Sequence, residues 1–187
     1  MPVNSGDDVY LGALLSEYER IKEEQRHRIG FRDNLIYVTL ASMAAAVTAA
    51  LNSKDQANLL LLLPPVCFIL GWTYLVNDEK ISAAGRYIRE EVRPKLVKLD
   101  GTRRPVLGWE DYHRSDQRRG LRKYLQLIVD LSTFCISGYA AITVYFVNGP
   151  LRPPFVLVGI IECVALSVLA FQIAVYADVA SPSTRAR

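Results

Sequence analysis

Little in this sequence belongs to an enzyme or a secreted scaffold. There are three cysteines, Cys67, Cys135 and Cys163, all inside apolar stretches and none at metal-ligand spacing from another. Neither a disulfide framework nor a metal centre is indicated. The two histidines, His27 and His113, lie far apart. No HExxH, phosphate-binding loop, GxSxG or dinucleotide fingerprint occurs. No catalytic residue, metal or cofactor is therefore expected, and the chain reads as a non-enzyme. Charge is also nearly missing from four long stretches, and that scarcity carries the most information.

These stretches run over about 34–51, 59–76, 124–147 and 155–177. A helix rises about 1.5 Å per residue and a hydrocarbon core is about 30 Å thick, so each is long enough to cross. A backbone in lipid must satisfy its own hydrogen bonds, which makes the segments helices. A soluble protein of 187 residues has no room to bury four such rods on all sides. The expected fold is an all-α integral membrane protein with four transmembrane helices and amphipathic cytosolic helices. Its parts are an arm (1–30), a first hairpin (31–76), a basic segment (77–123), a second hairpin (124–178) and a tail (179–187). The first 33 residues carry seven acids and five bases, unlike a cleaved signal.

Twenty of the 22 Lys and Arg fall in the first 33 residues, the central segment and the tail. The excess of Lys and Arg in cytoplasmic loops places both termini and the centre in the cytoplasm. A bacterial inner or plasma membrane is the expected location. The central segment has thirteen bases against eight acids, which suits anionic lipid headgroups rather than nucleic acid. Trp109, Tyr112 and Tyr124 read as interfacial anchors, with Arg114, Arg118, Arg119, Arg122 and Lys123 at headgroup level. Asp111, His113 and Asp116 are a candidate headgroup site.

Two apolar stripes lie outside the spans. In the arm, Leu11, Leu14, Tyr18 and Ile21 recur at helical spacing, with Asp7 or Asp8 as candidate caps and Gly30 as the expected bend. After block two, Ile81, Ala84, Ile88 and Val92 form a second stripe, with Gly85 permitting close approach. That helix should run about four turns beyond the span until Pro94 ends or kinks it. The two stripes are expected to cover each other, in one chain or between copies, or to receive a cytosolic protein partner. Glu17, Glu19, Glu23 and Glu24 are expected to face Arg86, Arg89 and Arg93.

Inside the spans, Asp130 and Glu162 are the costly residues, because carboxyls at membrane depth pair, face the bundle interior or meet water. Asp130 lies roughly 9 Å in from the start of its block and Glu162 roughly 10 Å in from its own, so antiparallel packing puts them at different depths, about 10 Å apart. Tyr139 and Thr143 fall near the level of Glu162, and Gln172 nearer Asp130. Either these groups line an ion or proton path, multiplied by oligomerisation, or Glu162 is a protonated structural group bonded to Tyr139 or Ser167. Ala41, Ala44, Ala45, Thr48 and Ala49 form a small-residue face suited to close helix contact. The Leu59–Leu63 run reads as lipid-facing, and Pro64–Pro65 as a kink.

Residues 10–98, with the stretch YLVNDEKISAAGRYIREEVRPKL, form a cytosolic helix, two spans and a long following helix. This layout resembles small bacterial multi-span membrane proteins of the pore-forming immunity-effector type. The resemblance implies homo-oligomerisation and membrane permeabilisation on a cytosolic signal. The expected function is an oligomeric channel or pore-like protein whose cytosolic helices transmit a signal. The alternatives are a non-enzymatic anchor or scaffold that recruits a cytosolic partner, and a small ion-coupled transporter.

Overall fold

A computed structural model describes residues 5–52, 57–100, 107 and 119–177, and every element among them is helical. Trp109, Tyr112, Arg114, Arg118 and the Asp111–His113–Asp116 group lie outside the described residues, as does the tail beyond 177. Among the described residues, four helical stretches are long and apolar enough to cross a membrane: Gly6–Asn52, Asn58–Leu99, Gly120–Asn148 and Pro153–Tyr176.

Helix α1 spans Ser5–Asn52, 48 residues without interruption. No proline occurs between Pro2 and Pro64, so nothing removes a backbone donor along it. The bend expected at Gly30 does not break the helix, and a Cβ there would meet nothing within 4 Å. Asp7 and Asp8 stand inside the first turn, where carboxylates favour the positive end of the helix dipole.

The second stretch begins as a 3-10 helix, Ala57–Leu62, and becomes α2, Leu63–Tyr87. Pro64 and Pro65 therefore sit in the first turn of α2, where their missing N–H groups cost nothing. The leucine run is not outward-facing as expected. Leu60, Leu61 and Leu63 are buried, and only Leu62 stands well exposed, at 62%. The 3-10 segment lies in a core cluster with Cys67, Ala141, Ile142, Tyr145 and Leu166, so the run serves packing inside the chain.

Past Tyr87, a five-residue π-helical turn, Ile88–Val92, leads into α3, Arg93–Asp100. The Arg93 N–H reaches the Ile88 carbonyl, a five-residue step. Pro94 follows at once. In an α-turn its ring would press on the Glu90 carbonyl, and it has no N–H to offer it. The wide turn relieves that conflict, and the helix continues past the proline instead of ending there.

The second pair of stretches comprises α4 (Arg119–Asp130), a second π-helical turn (Leu131–Ile136), α5 (Ser137–Asn148) and α6 (Pro153–Tyr176). No proline causes this wide turn. The Ser137 N–H bonds the Ser132 carbonyl, and the Ser137 hydroxyl donates to the Thr133 carbonyl at 2.5 Å. A side chain thus satisfies the acceptor that the wide turn releases. The α5–α6 link is short. Gly149 is extended, Pro153 and Pro154 open α6, and the Tyr145 hydroxyl donates to the Pro150 carbonyl at 2.6 Å.

The chain divides into two compact units, 1–31 with 77–119 and 32–76 with 120–187. In the first, Leu14, Val92 and Leu96 are 4%, 0% and 4% exposed, and Leu11, Tyr18, Leu99 and Leu107 pack against them. In the second, two clusters meet on α5 and α6. One is the leucine cluster above. The other joins Leu35, Tyr74 and Leu75 to Phe134, Cys135, Leu169 and Ile173.

Candidate functional site

The second unit holds both carboxyls singled out within the apolar blocks, and the structure treats them differently. Asp130 is the last residue of α4 and is 8% exposed. Its Oδ1 accepts from Gln126 Nε2 at 2.8 Å, one turn earlier on the same helix. The other hydrogen of that amide goes to the Tyr74 hydroxyl, also at 2.8 Å. The Arg32 guanidinium stands 5.7 Å from the Tyr74 ring centroid and bonds Asp33 at 3.1 Å. Arg32, Tyr74, Gln126 and Asp130 thus form a linked polar cluster where three helices meet. Gln172, expected near Asp130, is half-buried on α6. Sequence reading missed Gln126, although the i,i+4 spacing of Gln126 and Asp130 on one helix was a usable signal.

Glu162 sits nine residues into α6, about 13 Å along a helix of about 36 Å. It is 9% exposed, on the same stripe as Gly159, Leu166, Leu169 and Ile173. Its Oε2 is buried with no hydrogen-bond partner. The bond expected from Tyr139 or Ser167 is made elsewhere. Ser167 donates to the Cys163 carbonyl at 2.7 Å, and Tyr139 lies 2.6 Å from the Ser167 hydroxyl and 3.2 Å from the same carbonyl. Thr143 turns back to the Tyr139 carbonyl at 2.8 Å. Ser167 and Thr143 bond back to carbonyls one turn earlier on their own helices, and Tyr139 crosses from α5 to the Ser167 hydroxyl and the Cys163 carbonyl of α6.

Close approach of backbones builds this unit. A Cβ on Gly71 would meet Leu169 and Phe134, and one on Gly138 would meet Leu166. Cys67 Sγ lies 3.5 Å from the Ser137 hydroxyl. Since that hydroxyl donates to Thr133, the thiol is the donor between them. Among the described residues, no three His, Cys, Asp or Glu could jointly hold a metal ion.

Helix α1 is the least covered of the four long stretches: 11% of its most apolar window is buried, against 44% for the second stretch. Leu35, Thr39, Met43, Ala46 and Ala50 turn inward. On the opposite face Ala41, Ala44, Ala45, Thr48 and Ala49 stand exposed. Large side chains flank that stripe, Tyr37, Val38, Leu40, Val47 and Leu51 also being exposed on α1, and the bare face of α6 shows Leu157, Ile160, Ile161, Val164 and Phe171.

The first unit uses its two stripes on each other. Leu14 is buried against Val92 and Leu96, with Leu11 and Tyr18 beside it. Ile88 is 1% exposed, while Ile21 and Ile81 are half-buried. Gln25 donates to the Ile81 carbonyl at 2.9 Å; a Cβ at Gly85 would stand 3.6 Å from that amide, an ordinary contact, so the approach does not depend on the glycine. The acids do not all face the expected arginines. Glu24 pairs with Arg28 at 2.6 Å and Arg89 with Glu90 at 2.6 Å, both local along the chain. Glu17 instead accepts from the Tyr87 hydroxyl at 2.7 Å, and this bond holds the phenol above its ordinary range. A groove of about 660 Å³ runs along Arg20, Glu23, Glu24, His27 and Arg28 to Asn77. Its acids and bases offset one another, and Arg28 is held by Glu24 and, at 3.3 Å, by Asn77.

Comparison with protein-family models, curated proteins and solved structures finds no match to this chain.

Proposed function

We propose that this chain is an integral membrane protein that assembles with copies of itself into a channel or pore-like complex, its first unit lying on the cytoplasmic side and receiving the signal. The observation that supports this reading is the outward face of α1. Side chains that meet only lipid are typically large and aliphatic, as on α6. On α1 a stripe of four alanines and a threonine, opposite the packed side and flanked by the exposed Leu40, Val47 and Leu51, forms a shallow groove that offers another helix close approach. Several copies meeting through α1 would surround an axis with small side chains and the hydroxyls of Ser42 and Thr48. These donate back to the carbonyls of Val38 and Ala44, which leaves their oxygens free to accept from water.

Glu162, buried within one chain, is not part of that lining. The scaffold alternative requires the Ile81–Val92 stripe to be free for a partner, whereas Ile88 and Val92 are buried in the first unit. Anionic headgroups remain the expected lipid contact of the basic segment.

The test is native mass measurement in lipid nanodiscs with planar-bilayer current on the same sample. A closed ring of three or more copies with current, both lost in Ala45→Leu, is the expected result. A monomer without current in the presence of cytosolic extract overturns the proposal.

A further inference from the structure

We infer that Glu162 is a proton-binding site: in the packed chain its carboxyl is held neutral, and it exchanges a proton only when α6 loosens. Its burial and its surroundings carry this. The residue is nine-tenths buried, and Oε2 has no partner. The segments packed on α6 are the 3-10 turn, the second π-helical turn and α5. Their sequences contain no Asp, Glu, Lys or Arg, and their titratable groups are Cys135, Tyr139 and Tyr145. α2 approaches α6 at Gly71 and brings Cys67 and Tyr74 within its 63–76 part. α1 meets the same core through Met43, Ala46 and Ala50, ten or more residues from its charges at Arg32 and Asp33. Asp130 is already engaged by Gln126. α6 adds only Cys163 and Tyr176. Among the described residues, no cation therefore stands ready to compensate a carboxylate, and an unpaired buried charge costs far more than a neutral acid with one unmet hydrogen bond.

A bound metal cation would answer the same deficit, but the site does not supply one. A hard cation takes about six oxygen ligands. Here one carboxyl is available, the helix carbonyls are engaged, and the Tyr139 and Ser167 hydroxyls are committed to each other and to Cys163. The ligand that fits is a proton.

The probe is dicyclohexylcarbodiimide, an apolar reagent that consumes protonated carboxyls. The acid O–H adds across one C=N bond: oxygen bonds to carbon, the proton moves to nitrogen, and an O-acylisourea forms. Where water is excluded, the acyl group shifts from oxygen to nitrogen and gives a stable N-acylurea, with no atom lost. The full chain in phosphatidylcholine nanodiscs at neutral pH should gain one adduct, mapped to Glu162, at a rate roughly tenfold above that at Asp130. Intact mass should show no adduct in Glu162→Gln. The infrared difference between wild type and Glu162→Gln should contain a protonated-carboxyl C=O band. An unlabelled Glu162 without that band overturns the inference. So does a roughly tenfold slowing of labelling by sodium chloride at constant pH, which would mean a bound cation instead. The outcome is independent of assembly, because the carboxyl is enclosed by a single chain.

Discussion

A single methyl group at position 71 tests how α2 packs on the second wide turn. A Cβ there would stand 2.7 Å from Leu169 Cδ2, 2.9 Å from Phe134 Cβ and 3.0 Å from Phe134 Cγ. Unstrained carbon pairs sit about 3.5–4.0 Å apart, so a gap of about 1 Å must open. The Leu169 methyl can swing aside. The Phe134 Cβ moves only with its backbone, which is fixed in the wide turn. Overpacking of this kind costs about 1–3 kcal/mol, and a clash with a Cβ belongs at the upper end. Alanine returns about 1 kcal/mol of helix propensity relative to glycine. Gly71→Ala is therefore expected to destabilise the chain by about 1–2 kcal/mol, a factor of about 5–30 in the folded population. Gly138→Ala is the control. The three atoms nearest its new methyl all belong to the flexible Leu166 side chain, at 2.7, 3.2 and 3.6 Å, so clash and propensity nearly cancel. The assay is equilibrium unfolding in mixed micelles, followed by far-ultraviolet circular dichroism. The reasoning fails if Gly71→Ala is as stable as the wild type, or if Gly138→Ala is the more damaging of the two.

Two further outcomes follow from the first unit. Leu14→Ala removes a side chain enclosed by Val92 and Leu96 and should cost about 2–5 kcal/mol, while its exposed neighbour Leu15→Ala should stay within about 0.5 kcal/mol; equal losses in denaturant titrations would contradict the packing described. Tyr87 is held above its ordinary value of 10.0 by the bond it donates to Glu17, so that contact is complete below pH 10 and is lost as pH rises through the raised value. Hydrogen exchange around Glu17 should accelerate over that alkaline range, and Tyr87→Phe should remove the step; an unchanged step in the variant would assign it to another group.

What the sequence made legible was set by period and length. Four apolar blocks, two of them with a single acid, became four long helical stretches because a run of about 20 apolar residues has few other uses. The pairing of Leu14 and Tyr18 with Val92 was foreshadowed by two stripes of matching spacing. What stayed hidden depends on three-dimensional context. Five leucines in a row carry no period, so composition alone assigned them to lipid, and only the neighbouring α5 and α6 turn Leu60, Leu61 and Leu63 inward. Pro94 reads as a terminator until a wide turn upstream absorbs its ring. Glu162 and Asp130 look alike in sequence, each a lone acid in an apolar block. Gln126, on the same helix face, separates their fates, because it gives Asp130 a donor that Glu162 lacks.

The two wide turns have different causes, and the second sets the geometry of the carboxyl region. In the first unit, a proline removes a donor and the turn widens to accommodate it. In the second, Ser137 supplies a hydroxyl for the carbonyl that widening releases, and the buried Cys67 thiol donates to that hydroxyl in turn. A π-helical turn holds one residue more than an α-turn would. Without it, every residue from Ser137 to Asn148 would rotate by about 100° relative to α4. Ala141, Ile142 and Tyr145 would then leave the cluster they share with Leu60, Leu61 and Leu166. Gly138, whose missing side chain admits Leu166, would face elsewhere. Since Glu162 lies one turn before Leu166 on the same stripe of α6, its enclosure depends on that extra residue. The neutral carboxyl inferred above is thus a consequence of helix register. Any change that expelled the wide turn would expose Glu162 to new neighbours, which links proton exchange at that carboxyl to a rotation of α5.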